Sequence, residues 1–269
     1  MEKLVFLGIG SNSFEALNTS SFALKLEEQK WLLVDCGPDT PRQVTKATIP
    51  FLDINYIVIT HRHLDHSLGL PYFVFGRNLE RLARLRQAPN FVPSKLCIVA
   101  EREVWDGLWG LFRLAHPDVK SLGFDIEFTE ISSFLAAPQN FANVKLQTFE
   151  MIHTVPTYGF IIWSDDQKIL AYSADTLPSE NFIEAASGSK VLIHEAMIPA
   201  SETAFSNNAK HSTAVQAGDA VAKIHPAQAF LMHLRPAFLN KRSILEKEAS
   251  EIAGMQVIYP DEGLVVSLK

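Results

Sequence analysis

The chain has 269 residues, 47% of them hydrophobic and 20% charged, with a net charge of −6. That composition is globular and supports a sizeable core, and its acidic balance excludes a broad nucleic-acid or membrane surface. No apolar run is long enough to span a bilayer, and the one in "MEKLVFLGIGSNS" is too short for a signal peptide, so the expectation is a soluble, cytoplasmic protein.

The first third reads as strands, Lys3–Ile9, Phe22–Glu27, Trp31–Cys36 and Ile54–Thr60, separated by turn signals such as "GSNS" and "CGPDT". Cys36 and Cys97, in "LLVDCG" and "KLCIVA", read as buried core thiols. At the end of the fourth strand, "THRHLDHSLGL" packs His61, His63, Asp65 and His66 into six positions. His61 and His63 are two apart and face the same way in extended backbone. Imidazole and carboxylate suit zinc, manganese or iron.

A helix is expected from near Gly69. Its Arg77, Arg81 and Arg84 share one face, which lies either near the site mouth or in solvent, paired with Glu80. Leu96–Ala100 reads as a strand. Glu101–Ala115 reads as a helix with Val104, Leu108, Leu111, Phe112 and Ala115 inward, widened by Trp105 and Trp109 as core residues. Further strands are predicted at Phe124–Ile131, Val144–Ile152, Gly159–Trp163, Lys168–Ser173, Val191–His194 and Ala229–Leu234. A helix over Thr213–Ile224, capped by Ser212 or Thr213, precedes the last of these. The helix Ser243–Glu251 and the strand Gly263–Leu268 close the chain. His116 and His225 each precede a proline at a helix end and carry no assigned chemistry. With no repeat and no linker, the pattern predicts one α/β domain over residues 1–269, helices flanking two packed sheets.

Three more metal-capable side chains stand where apolar runs stop: His153, Asp175 and His233. With the four in "HRHLDH" they make seven ligands, enough for two divalent metal ions sharing a bridging carboxylate. "HRHLDH" followed by His153, Asp175 and His233 resembles the metallo-β-lactamase superfamily. The resemblance covers nearly the whole chain. It implies a four-layer αββα sandwich with a dinuclear site, zinc first and manganese or iron as alternatives. By that resemblance His61, His63 and His153 hold one metal, Asp65, His66 and His233 the other, and Asp175 bridges them.

Within the superfamily, zinc β-lactamases carry Cys where this chain has Asp175, and the oxygen-reducing di-iron branch carries Glu at His63. Glyoxalase II enzymes add a helical C-terminal domain, for which little chain remains after His233. "IHEAM", with His194 and Glu195, and "KHSTAVQAG", with His211, are similar to the HEAT and HST motifs of ribonuclease Z. That branch implies catalytic roles for Asp65, His211 and Glu195, with His211 facing the scissile phosphate and Glu195 supporting it.

The departures bear on substrate. The tRNA-gripping arm that bacterial ribonuclease Z carries between the residues matching His153 and Asp175 is missing. Met197 replaces Thr in HEAT, and the closing HxSxRY reads "HLRPAF", with Arg235, Ala237 and Phe238 substituted. The expected function is a two-metal hydrolase of phosphodiester bonds, acting on small phosphodiesters or short RNA. A hydrolase of small esters, thioesters or lactones on the same metals is the alternative, and a non-catalytic metal-binding protein the third. A homodimer is compatible with the chain, whose oligomeric state the sequence leaves open.

Overall fold

Strands that are apolar on both faces need cover on both sides, and that requirement organises this protein. A computed structural model describes residues 1–11, 16–119 and 121–269. Two residues of the expected "GSNS" turn, 12 and 13, lie outside the described residues. The first half comprises β1 (Lys3–Gly8), β2 (Ser21–Glu27), β3 (Lys30–Val34), α1 (Thr40–Lys46), β4 (Ile54–Val58), α2 (Leu64–Ser67), α3 (Leu70–Gln87), β5 (Leu96–Ala100), α4 (Arg102–Ala115) and β6 (Ile126–Glu130). The second comprises β7 (Gln139–Phe141), β8 (Val144–Glu150), β9 (Tyr158–Ser164), β10 (Gln167–Tyr172), α5 (Glu180–Ala186), β11 (Val191–Glu195), α6 (Thr203–Ala209) and α7 (Ala214–Ile224). It closes with β12 (Gln228–Met232), α8 (Arg242–Ala253), β13 (Val257–Ile258) and β14 (Val265–Ser267).

The strands form two sheets, ordered β14-β1-β2-β3-β4-β5-β6 and β13-β12-β11-β10-β9-β8-β7. Successive side chains on a strand point to opposite faces, and the first sheet divides its apolar residues accordingly. Leu4, Phe6, Phe22, Leu24, Leu32 and Val34 enter the core shared with the second sheet. Val5, Leu7, Ala23, Trp31 and Leu33 enter a second core, roofed by Val44 of α1, Phe73 of α3 and Leu108 of α4. On the far side α5, α7 and α8 cover the second sheet through Ile183, Val221 and Leu245. The architecture is the αββα sandwich.

In the first sheet β3 to β6 run parallel, and in the second β10 to β13 do. The C-terminal ends that carry the candidate ligands gather at one edge, where the sheets are stitched together. Leu234 N–H donates to Ile9 O at 2.8 Å and Tyr158 N–H to Thr60 O at 3.1 Å. Three strands leave this edge through residues in the left-handed region: Asp35 (φ 57°), Ala174 (φ 51°) and His233 (φ 66°). Such conformations cost of order 1–3 kcal/mol each and cluster where side chains must be aimed.

Close approach at this edge depends on glycine. A Cβ on Gly37 would sit 2.0 Å from the Asp65 carbonyl oxygen and one on Gly69 2.1 Å from that of Gly37. Gly107, on the exposed side of α4, has open space around it. Opposite outcomes are expected from the same substitution. Gly37→Ala should destabilise by at least ~1–3 kcal/mol through overpacking, whereas Gly107→Ala should stabilise by about 0.5–1 kcal/mol through helix propensity. Thermal melts of the two variants check this.

Several expectations are corrected. "CGPDT" is more than a turn, because Pro41 in a first helical turn needs no N–H partner and α1 starts there. Leu111 is 42% exposed and Ala115 is exposed, because the bulk of Trp105 and Trp109, stacked at 5.2 Å, turns the buried face of α4 towards themselves. Cys36 is buried, but Cys97 is only half-buried beside Glu127. Thr213 caps α7 in a reciprocal capping box with Gln216. His116 and His225 are C-cap residues of α4 and α7.

Candidate metal centre

The loop after β4 turns sharply into α2, so His61 and His63 leave the strand end while Asp65 and His66 sit on the helical turn. His153 follows β8, Asp175 follows β10, and His233 follows β12. These seven side chains, up to 172 residues apart (233 − 61), meet in one pocket. His61, His63, His153 and Asp175 present ligand-type atoms within 4.8 Å of one another, as do Asp65, His66 and His233. Asp175 Oδ2 lies between the sets, 3.6 Å from His61 Nε2, 3.4 Å from His66 Nε2, 3.2 Å from His233 Nε2 and 3.9 Å from His153 Nε2.

Three of the rings are oriented by their other nitrogen. His153 Nδ1–H donates to the Lys210 carbonyl at 2.9 Å, and His66 Nδ1–H donates to Asp35 at 2.8 Å. His61 Nδ1 lies 3.1 Å from the Thr60 hydroxyl, which itself donates to Asp35 at 3.0 Å. The opposite nitrogens are thereby left as lone pairs facing the pocket. His61 Nε2 and His153 Nε2 stand only 3.1 and 3.2 Å from His63 Nδ1.

Charge makes the same demand. Asp35, Asp175 and Glu195 are buried and Asp65 nearly so, and among the described residues only histidines lie within ion-pair distance of them. Buried carboxylates without cations are costly. His66 Nε2 and Asp175 Oδ1 are also buried without a hydrogen-bond partner. Convergent lone pairs, surplus negative charge and orphaned atoms together fit divalent cations. Burial drives His61 well below the ordinary histidine range, into the neutral form that ligates. Burial would raise Asp65, but His66 and His233 hold it below the usual carboxylate range.

His211 stacks on His233 with ring centroids 4.9 Å apart, and its Nδ1 lies 3.1 and 3.3 Å from the two oxygens of Glu195. Burial disfavours its charge, but Glu195 and then Asp175 lift its pKa to about 9. Glu195 is itself fixed by the Thr176 N–H. His194 points elsewhere and donates from Nδ1 to the Glu195 carbonyl at 2.7 Å. Met197 lines the cleft beside His211.

The arginine face does not reach the site mouth, and only Arg84 of the three is exposed to solvent. Arg77 is buried and donates to the carbonyls of Phe51, Ile54 and Ser94, with burial lowering its pKa to about 10. Arg81 bonds Asn78 and Arg84 lies over Phe91, so none of the three lines the cleft. Glu80 instead accepts from Phe51 N–H at 2.8 Å. Arg77 is consumed in anchoring the chain around residues 51–54 and 94. Trp105, Trp109 and Phe112 pack in the outer core and do not line the cleft either.

Asp35 is the residue that sequence reasoning missed. Besides His66 it accepts from Thr60 N–H at 2.8 Å, and it is wholly buried. The signal was present in "LLVDCG", an aspartate closing an apolar strand, as with Asp175. Carboxylates that orient a ligating histidine typically affect metal affinity 10–100-fold, and Asp35→Ala is expected to weaken binding by about that factor. Competition with a chromophoric chelator measures it.

Comparisons with known proteins agree with this geometry. The chain is 27% identical to ribonuclease Z of Limosilactobacillus fermentum over 279 aligned positions, covering 89% of each protein. Its structure superposes on YhfI of Bacillus subtilis, a metallo-β-lactamase fold protein, with a TM-score of 0.81 and 18% identity, covering 99% of both chains. The short form of human tRNase Z superposes with a TM-score of 0.78 and 19% identity, again over 99% of both. In sequence the chain is similar to ribonucleases Z, and in fold to metallo-β-lactamase fold proteins. Residues 2–252 match the family described as anti-Pycsar protein Apyc1, and to that family the chain belongs.

Proposed function

We propose that this hydrolase cleaves phosphodiester bonds in small substrates, using two divalent cations, zinc first, held by the seven side chains. His61, His63 and His153 serve one ion, Asp65, His66 and His233 the other, and Asp175 both. The observation that carries the reading is the His211–Glu195 pair, 3.1 Å apart and stacked on His233 within the same cleft. Hydrolysis of a thioester or an activated ester, with a good leaving group, needs no such second polar group. The relatives named ribonuclease Z support phosphorus chemistry.

When bound, two such cations supply Lewis-acid charge stabilisation and a water acidic enough to ionise near pH ~7. Asp65 orients the attacking water and accepts its proton. Glu195 holds His211 Nδ1–H and fixes the ring, leaving Nε2 to donate a proton to a phosphoryl or leaving-group oxygen. Buried walls exclude competing water and strengthen these charge interactions.

Small substrates are favoured because the chain between His153 and Asp175 holds only β9, β10 and the turn at Asp165–Asp166. With no arm and a net charge of −6, binding to precursor tRNA should be weak and fall steeply with salt. The metal-loaded protein should turn over an aryl phosphodiester or a cyclic nucleotide faster than a thioester or a precursor tRNA. Efficient tRNA maturation by the purified protein at near-physiological salt would overturn the preference.

A further inference from the structure

The cleft, with a volume of about 1080 Å³, does not end at the metal ligands. A second arm is lined by Thr19, Asn18, and Arg42 and Lys46 of α1, together with Asp39 and Glu262. None of these six serves the ligands. The missing side chain of Gly37 opens the junction, since a Cβ there would lie 2.2 Å from the Thr19 hydroxyl. That hydroxyl is buried, and among the described residues it has no hydrogen-bond partner. Thr19 lines the cleft, so a donor is held in reserve midway along the arm.

At the far end Arg42 and Lys46 stand with two carboxylates, Asp39 and Glu262. Asn18 is clamped by Glu262, which accepts from its backbone N–H at 2.7 Å and from its side-chain amide. So fixed, the Asn18 side-chain oxygen accepts from the Arg42 guanidinium at 3.4 Å and holds it at the cleft. Among the described residues the carboxylate within ion-pair distance of Arg42 is Asp39, at a loose 3.7 Å. Lys46 lies one turn further along the same helix face and is exposed, with no ion-pair partner among the described residues. Glu262 is already engaged by Asn18. Both cations thus keep N–H donors free in the approach to the active site, although the two carboxylates balance their charge.

We infer that Arg42 and Lys46, with the Thr19 hydroxyl between them and the metal centre, form a subsite for a second phosphate group. The favoured substrate is then a linear phosphodiester carrying a further phosphate beyond the scissile one. This rests on the phosphodiester reading above. Hydrolysis adds one water, breaks one P–O bond at the metal centre and leaves the second phosphate intact.

Two substrates that differ only in that group test it: the 5′-(4-nitrophenyl phosphate) of thymidine, and the same compound bearing a 3′-phosphate. Charge-assisted contacts of this kind favour the 3′-phosphorylated substrate by about 10- to 100-fold in kcat/KM. In Arg42→Ala/Lys46→Ala the ratio should collapse towards one, and in Arg42→Lys/Lys46→Arg most of it should survive. Calorimetry should show thymidine 3′,5′-bisphosphate binding the metal-loaded wild type more tightly than thymidine 5′-monophosphate, and the double alanine variant should lose that difference. Equal kcat/KM for the two substrates in wild type, or a preference that persists in the double alanine variant, overturns the subsite and leaves the phosphodiester reading standing. Cleavage of neither, with turnover of a thioester, overturns both.

Discussion

Asp175→Ala is expected to remove more metal than any other single ligand substitution, taking the protein from ~2 ions per chain to below ~1. The reason is its position: Oδ2 lies 3.2–3.9 Å from His233, His66, His61 and His153, which belong to both ligand sets. His153→Ala withdraws one donor from one set and should cost about one ion. Elemental analysis of carefully loaded protein distinguishes the two patterns, and turnover should disappear on chelation. Wild type that binds at most one ion under loading conditions would end the dinuclear reading, whatever the activity.

His211→Ala should reduce turnover of a phosphodiester with a poor leaving group by about 10²–10⁴, the range of general acid–base assistance. Its metal content should not change, because its Nδ1 is taken by Glu195 and two of the three candidate ligand groups are built without it. On an aryl phosphodiester, whose leaving group departs without a proton, the loss should shrink. Glu195 is part of the same device through its contacts of 3.1 and 3.3 Å, so Glu195→Gln should produce a smaller loss with the same leaving-group dependence. Equal and small losses on both substrates would reduce His211 to a structural residue. They would favour an ester, thioester or lactone hydrolase on the same ligands.

Much of the centre was legible in the residues because its densest part is local. His61, His63, Asp65 and His66 fall within six positions, and the backbone turn after an apolar strand is enough to bring them together. His153, Asp175 and His233 were legible by a second rule, that a metal-capable side chain closing an apolar run stands at a sheet edge. The cap at Thr213 follows from its hydroxyl and the glutamine three residues on.

What the tertiary structure alone decided lies beyond the reach of local periodicity. Asp35 and His66 are 31 residues apart, and only the parallel pairing of β3 with β4 places them at 2.8 Å. Arg77, Arg81 and Arg84 share a helical face in the sequence, but which way that face turns depends on what α3 packs against. The carbonyls of Phe51, Ile54 and Ser94 claimed the guanidinium of Arg77. The cations that do line the cleft, Arg42 and Lys46, belong to a short helix that starts at the last residue of the expected "CGPDT" turn. Residue type and spacing determine which groups can share a face. Which faces meet is set by how two sheets and their helices bury apolar surface over long range, and that is where the approach to the metal centre was decided.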